Sequence, residues 1–164
     1  TCESPKVDLG DYKKEIEGSR KIITSKNDQG QTPADKENTV IETLLRSAKV
    51  NIPKPLIEEE VNHRLSDLVE QTQKLGLTVE QYLSSTGKNA DGIRAEYAKQ
   101  AEDQIKIMLL LSHIADAEGI EITDADIEKA AADTGQKNLT NAQKEVIRAV
   151  LKRRSALDKL VAIL

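Results

Sequence analysis

The chain has 164 residues, a net charge of −4, three Tyr and neither Phe nor Trp, which suits one domain or one elongated helical body with a thin aliphatic core. The single cysteine, Cys2, excludes an internal disulfide. No stretch approaches the ~20 apolar residues of a membrane span, and no signal peptide is apparent. We therefore expect a cytoplasmic protein. Residues 55–135 carry 17 acidic and 7 basic side chains, whereas residues 136–164 carry 2 and 7. We therefore expect these two regions to pair within the molecule, with attraction of a charged partner as the alternative.

Residues 1–33 are the least regular part of the chain, and we interpret them as a linker or extended segment ahead of a helical domain over residues 34–164. Gly10, Gly18 and the polar run 25–32 are typical of loops. Apolar residues between them leave room for a short strand or helical turn that docks on the domain.

A helical pattern begins at Asp35 and continues to a pair of prolines. One face of this helix is apolar and contains Val40, Ile41, Leu44, Leu45 and Ala48. Because proline fixes φ, Pro53 and Pro55 predict an extended connector over residues 51–54 and a helix with Pro55 in its first turn. The glutamates at 58–60 then suit the positive N-terminal end of that helix.

The helix after the prolines carries an apolar stripe that extends to Leu75, and Gly76 ends it. Thr78, followed three residues later by Gln81, is a capping-box signature. This pair predicts a short helix that continues through Leu83.

A long helix is predicted from about Asp91 to Glu118, with Gly119 just after its last turn. Thr123 and Asp126 then cap a shorter helix. Near its end the long helix has a second apolar side, which requires a covering neighbour or a partner: Ile107, Leu110, Leu111 and Ile114.

The final helix begins at Thr140 or Asn141 and continues to the last residue. Its residues 146–151 repeat the apolar spacing of residues 40–45, so the first and last helices of the domain are candidates to pack through matching faces. The same spacing is common to amphipathic helices, which is the alternative interpretation.

We find no arrangement of residues for catalysis, and we expect no metal and no cofactor. Glu59 with His63 and His113 with Asp116 are two-ligand pairs without a third ligand, which favours surface roles. Cys2 has no neighbouring His, so a nucleophile is not expected there.

The apolar faces of the helices are the strongest functional feature of the chain. The basic residues between Lys144 and Lys159 have no aromatic side chains for stacking on bases, which favours a solvated face over a nucleic-acid site. Helices with aliphatic faces leave grooves that bind other apolar segments by area. Candidate peptide-binding residues, for which ordinary helix packing is the alternative, are Ile57, Val61, Leu65, Ile105, Met108 and Leu109.

The order and spacing of several motifs resemble the C-terminal domain of bacterial trigger factor. Val-Ile-Glu-Thr-Leu-Leu at 40–45 is followed by Val-Asn-Ile-Pro-Lys-Pro-Leu-Ile at 50–57, as a helix, a connector and an arm helix follow one another in that family. Residues 82–88 and 114–123 resemble the same domain. Residues 5–13 resemble the linker that leads from the ribosome-binding domain of the family.

The resemblance covers residues 36–134 well and residues 135–164 in outline. It implies an all-α fold, an elongated multi-helix body with protruding helical arms that cradle unfolded chains without ATP. The family usually inserts a peptidyl-prolyl isomerase domain after the linker, but only Lys14 to Thr32 stand there, and the ribosome-docking signature is absent. We therefore expect a non-enzymatic chain that does not bind the ribosome by itself.

These features predict an ATP-independent chaperone domain whose partners are unfolded or nascent polypeptides. The ribosome would be reached only through an N-terminal domain that this sequence lacks. A structural or oligomerisation module, whose apolar faces close on a second copy in a homodimer, is the alternative. We expect neither a membrane nor a nucleic acid as a partner.

Overall fold

The structure is a computed structural model that describes residues 6–24, 32–133, 135 and 139–164. Cys2 and most of the polar run at 25–32 lie outside the described residues. The described part is built from helices with one small sheet, which confirms the all-α prediction. Its helices are α1 (Tyr12–Thr24), α2 (Pro33–Ser47), α3 (Lys54–Lys74), α4 (Val79–Ser85), α5 (Ala90–Ala117), α6 (Asp124–Asp133) and α7 (Asn141–Val161).

Two short strands form the sheet, in which β1 (Lys6–Asp8) pairs with β2 (Lys49–Asn51). None of the described helices combines the length and apolar character needed to cross a membrane. Residues 1–33 were interpreted from the sequence as a linker. Their described positions contain the strand β1 and the 13-residue helix α1. The predicted domain boundary at residue 33 stays a prediction.

Contacts between residues divide the chain into two compact units. The first unit includes Val50–Lys106, which comprises α3, α4 and most of α5. The second unit consists of Val7–Lys49 and Ile107–Leu164, which comprise α1, α2, the end of α5, α6 and α7. Each unit has its own core.

The core of the first unit is small and aliphatic, as the lack of Phe and Trp predicts. Leu68 of α3, Leu83 of α4 and Ile93 of α5 form a buried cluster. Their contacts hold α4 against the two longer helices. The side chains that pack around this cluster are partly buried: Leu65, Val79, Tyr82 and Tyr97.

The second unit has the larger core, to which all of its helices contribute. α1 packs on α2, and α2 and α6 both pack on α7. The second apolar side predicted near the end of α5 is covered within this unit, because Leu110 and Ile114 are 0% exposed. The other large side chains that are fully buried there are Ile16, Val40, Leu44, Ile127 and Leu160.

The helix ends follow the glycine signals of the sequence. Gly76 has a φ of +70°, and the N–H groups of Gly76 and Leu77 donate to the carbonyls of Gln73 (3.0 Å) and Thr72 (2.9 Å). Gly119 ends α5 in the same way, with a φ of +62°. These hydrogen bonds define a Schellman motif, whose left-handed residue favours glycine.

The predicted role of the glutamates at 58–60 as helix-end charges is wrong. α3 begins at Lys54 with Pro53 as its N-cap, so its first turn contains no acidic residue. Because the dipole effect fades beyond the first turn, these glutamates are too far along the helix to benefit from it. Glu60 instead accepts a hydrogen bond from Arg64 Nε at 3.0 Å.

α2 and α7 pack together, but the two valines of the α7 face that repeats the spacing of α2 remain exposed. Val40 and Leu44 of α2 are fully buried, whereas Val146 and Val150 of α7 are 64% and 50% exposed. The repeated spacing therefore has opposite roles in the two helices. α7 uses a more C-terminal group for its core contacts: Ala156, Leu157 and Leu160.

A capping box at Thr140, one of the two predicted starting residues, begins α7. The Thr140 hydroxyl accepts the Gln143 N–H at 3.3 Å, and Gln143 Oε1 accepts the Thr140 N–H at 2.8 Å. Removal of the hydroxyl in Thr140→Ala leaves a helix-end N–H unsatisfied and should lower the free energy of unfolding by about 1 kcal/mol. Urea denaturation measures this loss. Thr140→Ser keeps the hydroxyl and should retain most of the stability, so an equal loss in both variants would contradict the capping role.

Candidate polypeptide-binding surfaces

The predicted peptide-binding residues are spread over both units, and most of them are partly buried. Val61 is only 2% exposed and belongs to the core of the first unit, so it is not available for binding. Leu65 packs at the edge of the buried cluster of the first unit. Ile57, Ile105 and Leu109 are half-buried, and Met108 is 40% exposed. Of the predicted residues, Met108 is therefore the most accessible.

Sequence reasoning missed most of the aliphatic side chains that the structure leaves exposed. Two pairs stand out because their members are close in the chain and on the same element or turn. Single exposed apolar residues are normal on any protein surface, whereas neighbouring ones are more informative. The large exposed apolar side chains among the described residues are Leu56, Val69, Leu75, Leu77, Met108, Val146 and Val150.

The turn between α3 and α4 presents the first pair, Leu75 and Leu77, which we call the turn patch. Leu75 is 71% exposed and Leu77 is 40% exposed. The sequence placed Leu75 on the apolar stripe of α3, but this residue lies just beyond the last residue of the helix. α3 ends at Lys74, and the chain turns away at Gly76, so Leu75 no longer follows the buried face.

The second pair is on α7, and we call Val146 and Val150 the α7 patch. They are one helical turn apart and therefore adjacent on the helix surface. The exposed residues Ala142 and Ala149 extend this apolar surface. The spacing of the two valines is visible in the sequence, where it suggests a face that packs on the helix at residues 40–45.

Three of the six basic residues of α7 form ion pairs with acidic residues of the same unit. Arg148 Nη2 is 2.7 Å from Asp124 Oδ1, and Lys152 contacts Asp116. These two pairs join the acidic middle to the basic C-terminal region, which confirms the predicted intramolecular pairing. Exposed ion pairs contribute little stability individually, but they orient α7 on its neighbours.

Arg154 makes a two-pronged contact between α7 and α2. Its Nη2 is 2.7 Å from Glu37 Oε1, and its Nη1 donates to Glu37 Oε2 at 3.2 Å. Such bidentate geometry fixes direction as well as distance. Arg154 is one of the basic residues considered above as a nucleic-acid surface, and here it docks α7 on α2.

A polar cluster joins α1 to the residue that follows α5. The Tyr12 hydroxyl donates to Glu118 Oε1 at 3.2 Å, and Lys13 Nζ lies 2.6 Å from the same oxygen. The hydrogen bonds from Lys13 and Tyr12 lower the pKa of the Glu118 carboxyl. Burial, with the bond to Glu118, raises the pKa of Tyr12. The cluster therefore keeps Glu118 ionised and α1 in place.

Histidines do not form the pairs considered from sequence. His63 Nδ1 lies 3.2 Å from Asp67 Oδ2, and both side chains are exposed. No group of three or more His, Cys, Asp or Glu side chains within the described ranges is arranged to hold a metal ion.

The second unit also contains a cleft of about 380 Å³ on α6, α7 and the segment before α6, which we call the α6–α7 cleft. Asp126 in its wall accepts the Thr123 N–H at 2.9 Å and the Thr123 hydroxyl at 2.6 Å, and these bonds lower its pKa. The lining residues are Glu121, Ile122, Asp126, Lys129, Ala130, Asp133, Leu151 and Ser155. Sequence reasoning did not identify this cleft.

Comparison with known families identifies the chain. A sequence model of the family described as the C-terminus of bacterial trigger factor protein (TF) matches residues 14–163. The chain belongs to this family. The resemblance found in the sequence is thereby confirmed, and the matched region is the C-terminal part of trigger factor.

Similar proteins include trigger factors from several bacteria. That of Finegoldia magna is 28% identical over 93% of this chain and 37% of its own length. That of Listeria monocytogenes is 32% identical over 71% of this chain and 27% of its own length. The chain thus spans about a third of the length of the curated relatives that it matches.

A solved structure of trigger factor domains from Thermotoga maritima has the same fold. It aligns with a TM-score of 0.61 over 79% of this chain and 81% of that one, at 21% identity. At this identity the likeness concerns the fold alone.

Proposed function

We propose that the chain acts as an ATP-independent chaperone domain that binds unfolded or nascent polypeptide through the turn patch and the α7 patch. The observation that carries this proposal is the exposure of paired aliphatic side chains in a member of a chaperone family. Leu75, at 71% exposed, and Val146, at 64% exposed, are the most accessible of them. The hydrophobic effect is non-directional, so such side chains accept many client sequences.

Binding through these patches is weak and broad. The chain has three Tyr and no Trp or Phe, so it lacks the aromatic anchors that dominate tight interfaces. Burial of one aliphatic side chain contributes only about 1.5–3 kcal/mol even when it is complete. A client is therefore held by several such contacts and released readily.

The cellular setting belongs to the same proposal. Nascent polypeptides in the cytoplasm are the expected clients, and any contact with the ribosome is made by a part of trigger factor outside this sequence. Met108, on α5 in the second unit, is the predicted residue that we retain as a further contact.

Suppression of aggregation of a chemically denatured model protein tests the proposal. We expect Leu75→Ser with Leu77→Ser, combined with Val146→Ser and Val150→Ser, to raise the chain concentration needed for half-maximal suppression roughly fivefold, because aliphatic contact area is lost. Light scattering measures this concentration. All four side chains are exposed, so the thermal midpoint should stay near that of the unaltered chain.

A matched control uses other exposed aliphatic residues. Leu56→Ser with Val69→Ser removes two side chains that are 40% and 39% exposed but lie far apart on α3. We expect a smaller effect from this variant. No suppression by the unaltered chain at several-fold molar excess would refute the proposal. A tight dimer in sedimentation that dissociates on loss of the α7 patch would instead favour an oligomerisation module.

A further inference from the structure

α1 is held on the second unit by a thin stripe of buried side chains. In the part of α1 whose side chains the structure describes, three positions on one side of the helix are buried: Tyr12, Ile16 and Ser19. The other residues from Lys13 to Gly18 are exposed. Only one of the three buried side chains is aliphatic, so this part of α1 gains less from the hydrophobic effect than a helix with a full apolar stripe.

The polar contacts of α1 are of a kind that water can replace. The Ser19 and Thr43 hydroxyls form a hydrogen bond of 3.0 Å between α1 and α2. At the start of the helix, the Tyr12 hydroxyl and Lys13 Nζ both contact Glu118 Oε1. Hydrogen bonds and exposed ion pairs contribute modestly to stability, because their partners are solvated when they separate. Detachment of α1 therefore leaves these groups hydrated.

Gly18 weakens α1 from within. Glycine in the interior of a helix is less favourable than alanine, because it loses more backbone freedom when it becomes ordered. Packing does not require glycine here, since no atom of the described residues outside the local backbone of α1 lies within 4 Å of a Cβ built at this position. α1 therefore contains a residue that lowers its stability without a gain in packing.

α1 covers one side of α2. Thr43 of α2 is 4% exposed and contacts α1 through Ser19. Val40, which is fully buried, lies one turn earlier on the same side of α2. Separation of the two helices exposes Ile16 and the part of α2 around Thr43, which the docked state hides.

We propose that α1 is a displaceable cover of α2, whose place is taken by a segment of bound polypeptide, an inference that rests on the proposed chaperone function. The occupant is a short amphipathic segment with an aliphatic side chain at the position of Ile16, because the segment that fills the site in the structure has this pattern. Only the open fraction of the chain binds through this surface, so a closed α1 lowers the apparent affinity for clients. The turn patch and the α7 patch are accessible while α1 is docked.

Gly18→Ala strengthens α1 and should keep it closed. We expect its amides to exchange about fivefold more slowly, which corresponds to the difference between glycine and alanine in a helix interior. The chain concentration needed for half-maximal suppression of aggregation should rise about twofold to fivefold, because the open fraction falls while both patches remain. Hydrogen exchange measured by mass spectrometry and light scattering measure the two effects.

Glu118→Gln should have the opposite effect. It removes the ion pair with Lys13, so the amides of α1 should exchange about twofold to fourfold faster. The concentration needed for half-maximal suppression should then fall.

Matched controls separate the opening of α1 from general changes in stability and charge. Asn62→Ala improves helix propensity at an exposed position of α3, in the first unit. Glu121→Gln removes an exposed carboxylate three positions after Glu118. Neither control should change the exchange of α1 or the suppression of aggregation.

A disulfide that locks α1 on α2 provides a second test. The Ser19 and Thr43 hydroxyl oxygens are 3.0 Å apart, which places these positions within reach of a disulfide. In a chain with Ser19→Cys, Thr43→Cys and Cys2→Ser, the oxidised form should suppress aggregation of a cysteine-free client less well than the form reduced with dithiothreitol.

Each outcome decides the inference. Equal suppression by the oxidised and reduced forms, or changes in the same direction in Gly18→Ala and Glu118→Gln, overturns the displaceable cover. Exchange of α1 as slow as that around Leu110 also overturns it, because α1 would then open only together with the core. The proposed function survives these results if the unaltered chain suppresses aggregation. Absence of suppression by the unaltered chain would refute the proposed function, and the cover with it.

Discussion

Ile16→Ala should lower the free energy of unfolding by about 2–5 kcal/mol, as expected for an isoleucine removed from a close-packed core. Ile16 lies on α1 and is 0% exposed. α1 packs on α2, and the hydroxyls of Ser19 and Thr43 form a buried hydrogen bond of 3.0 Å between the two helices. A shortened side chain leaves a cavity beside this bond, and the neighbouring residues cannot move far enough to fill it.

Denaturant titration of Ile16→Ala, monitored by circular dichroism, measures the loss. Lys14→Ala is the matched control, because Lys14 is exposed on the same helix and alanine is a good helix former. We expect the control to change stability by less than about 0.5 kcal/mol. A similarly small change in Ile16→Ala would mean that α1 behaves as a linker, in keeping with the sequence interpretation of residues 1–33.

Helix boundaries were predictable because the signals that set them are local. Thr78 and Gln81 form the expected capping box, with the Thr78 N–H donating to Gln81 Oε1 at 2.9 Å. The long helix, predicted at about 91–118, is observed at Ala90–Ala117. A cap or a glycine stop depends only on residues within a few positions of it. It can therefore be recognised from the sequence without knowledge of the tertiary fold.

Burial was less predictable, because it depends on elements distant in the sequence. The spacing of Val146 and Val150 matches that of Val40 and Leu44, yet one pair is exposed and the other is buried. The pair on α2 is buried because α2 packs against α1 and α7. An amphipathic pattern shows that a face can be buried, but it does not say whether a neighbour covers it.

The candidate site shows the same limit. The sequence identified the family and suggested an aliphatic candidate surface, but it did not identify the exposed pairs. Leu75 became exposed because the chain turns at Gly76, which moves this residue off the buried face of α3. The α6–α7 cleft joins Glu121 to Leu151 across 29 intervening positions, and no spacing rule connects them.

Regional charge was the one long-range feature that the sequence predicted well. The acidic middle and the basic C-terminal region indicated pairing, and Asp116 and Asp124 do contact Lys152 and Arg148. Individual partners were not predictable, because several acids compete for each cation. Charge asymmetry thus predicts that two segments attract each other, and packing selects the atoms that meet.

Ile127→Ala should destabilise α6 more than any other part of the second unit. Ile127 is 0% exposed, and the only other buried residue of this 10-residue helix is Ala131. A helix this short is marginal by itself, so its stability comes from packing on α7. We expect the free energy of unfolding to fall by about 2–5 kcal/mol. α6 should open before the other helices of the second unit, because the rest of the core remains intact.

Hydrogen exchange measured by mass spectrometry distinguishes local from global effects of Ile127→Ala. Amides of α6 should exchange faster than in the unaltered chain, while those around Leu110 and Leu44, in the centre of the core, change less. Glu128→Ala, at an exposed position on the same helix, should leave all of these rates nearly unchanged. Uniformly faster exchange across the second unit would contradict this, because α6 would then unfold only together with the core.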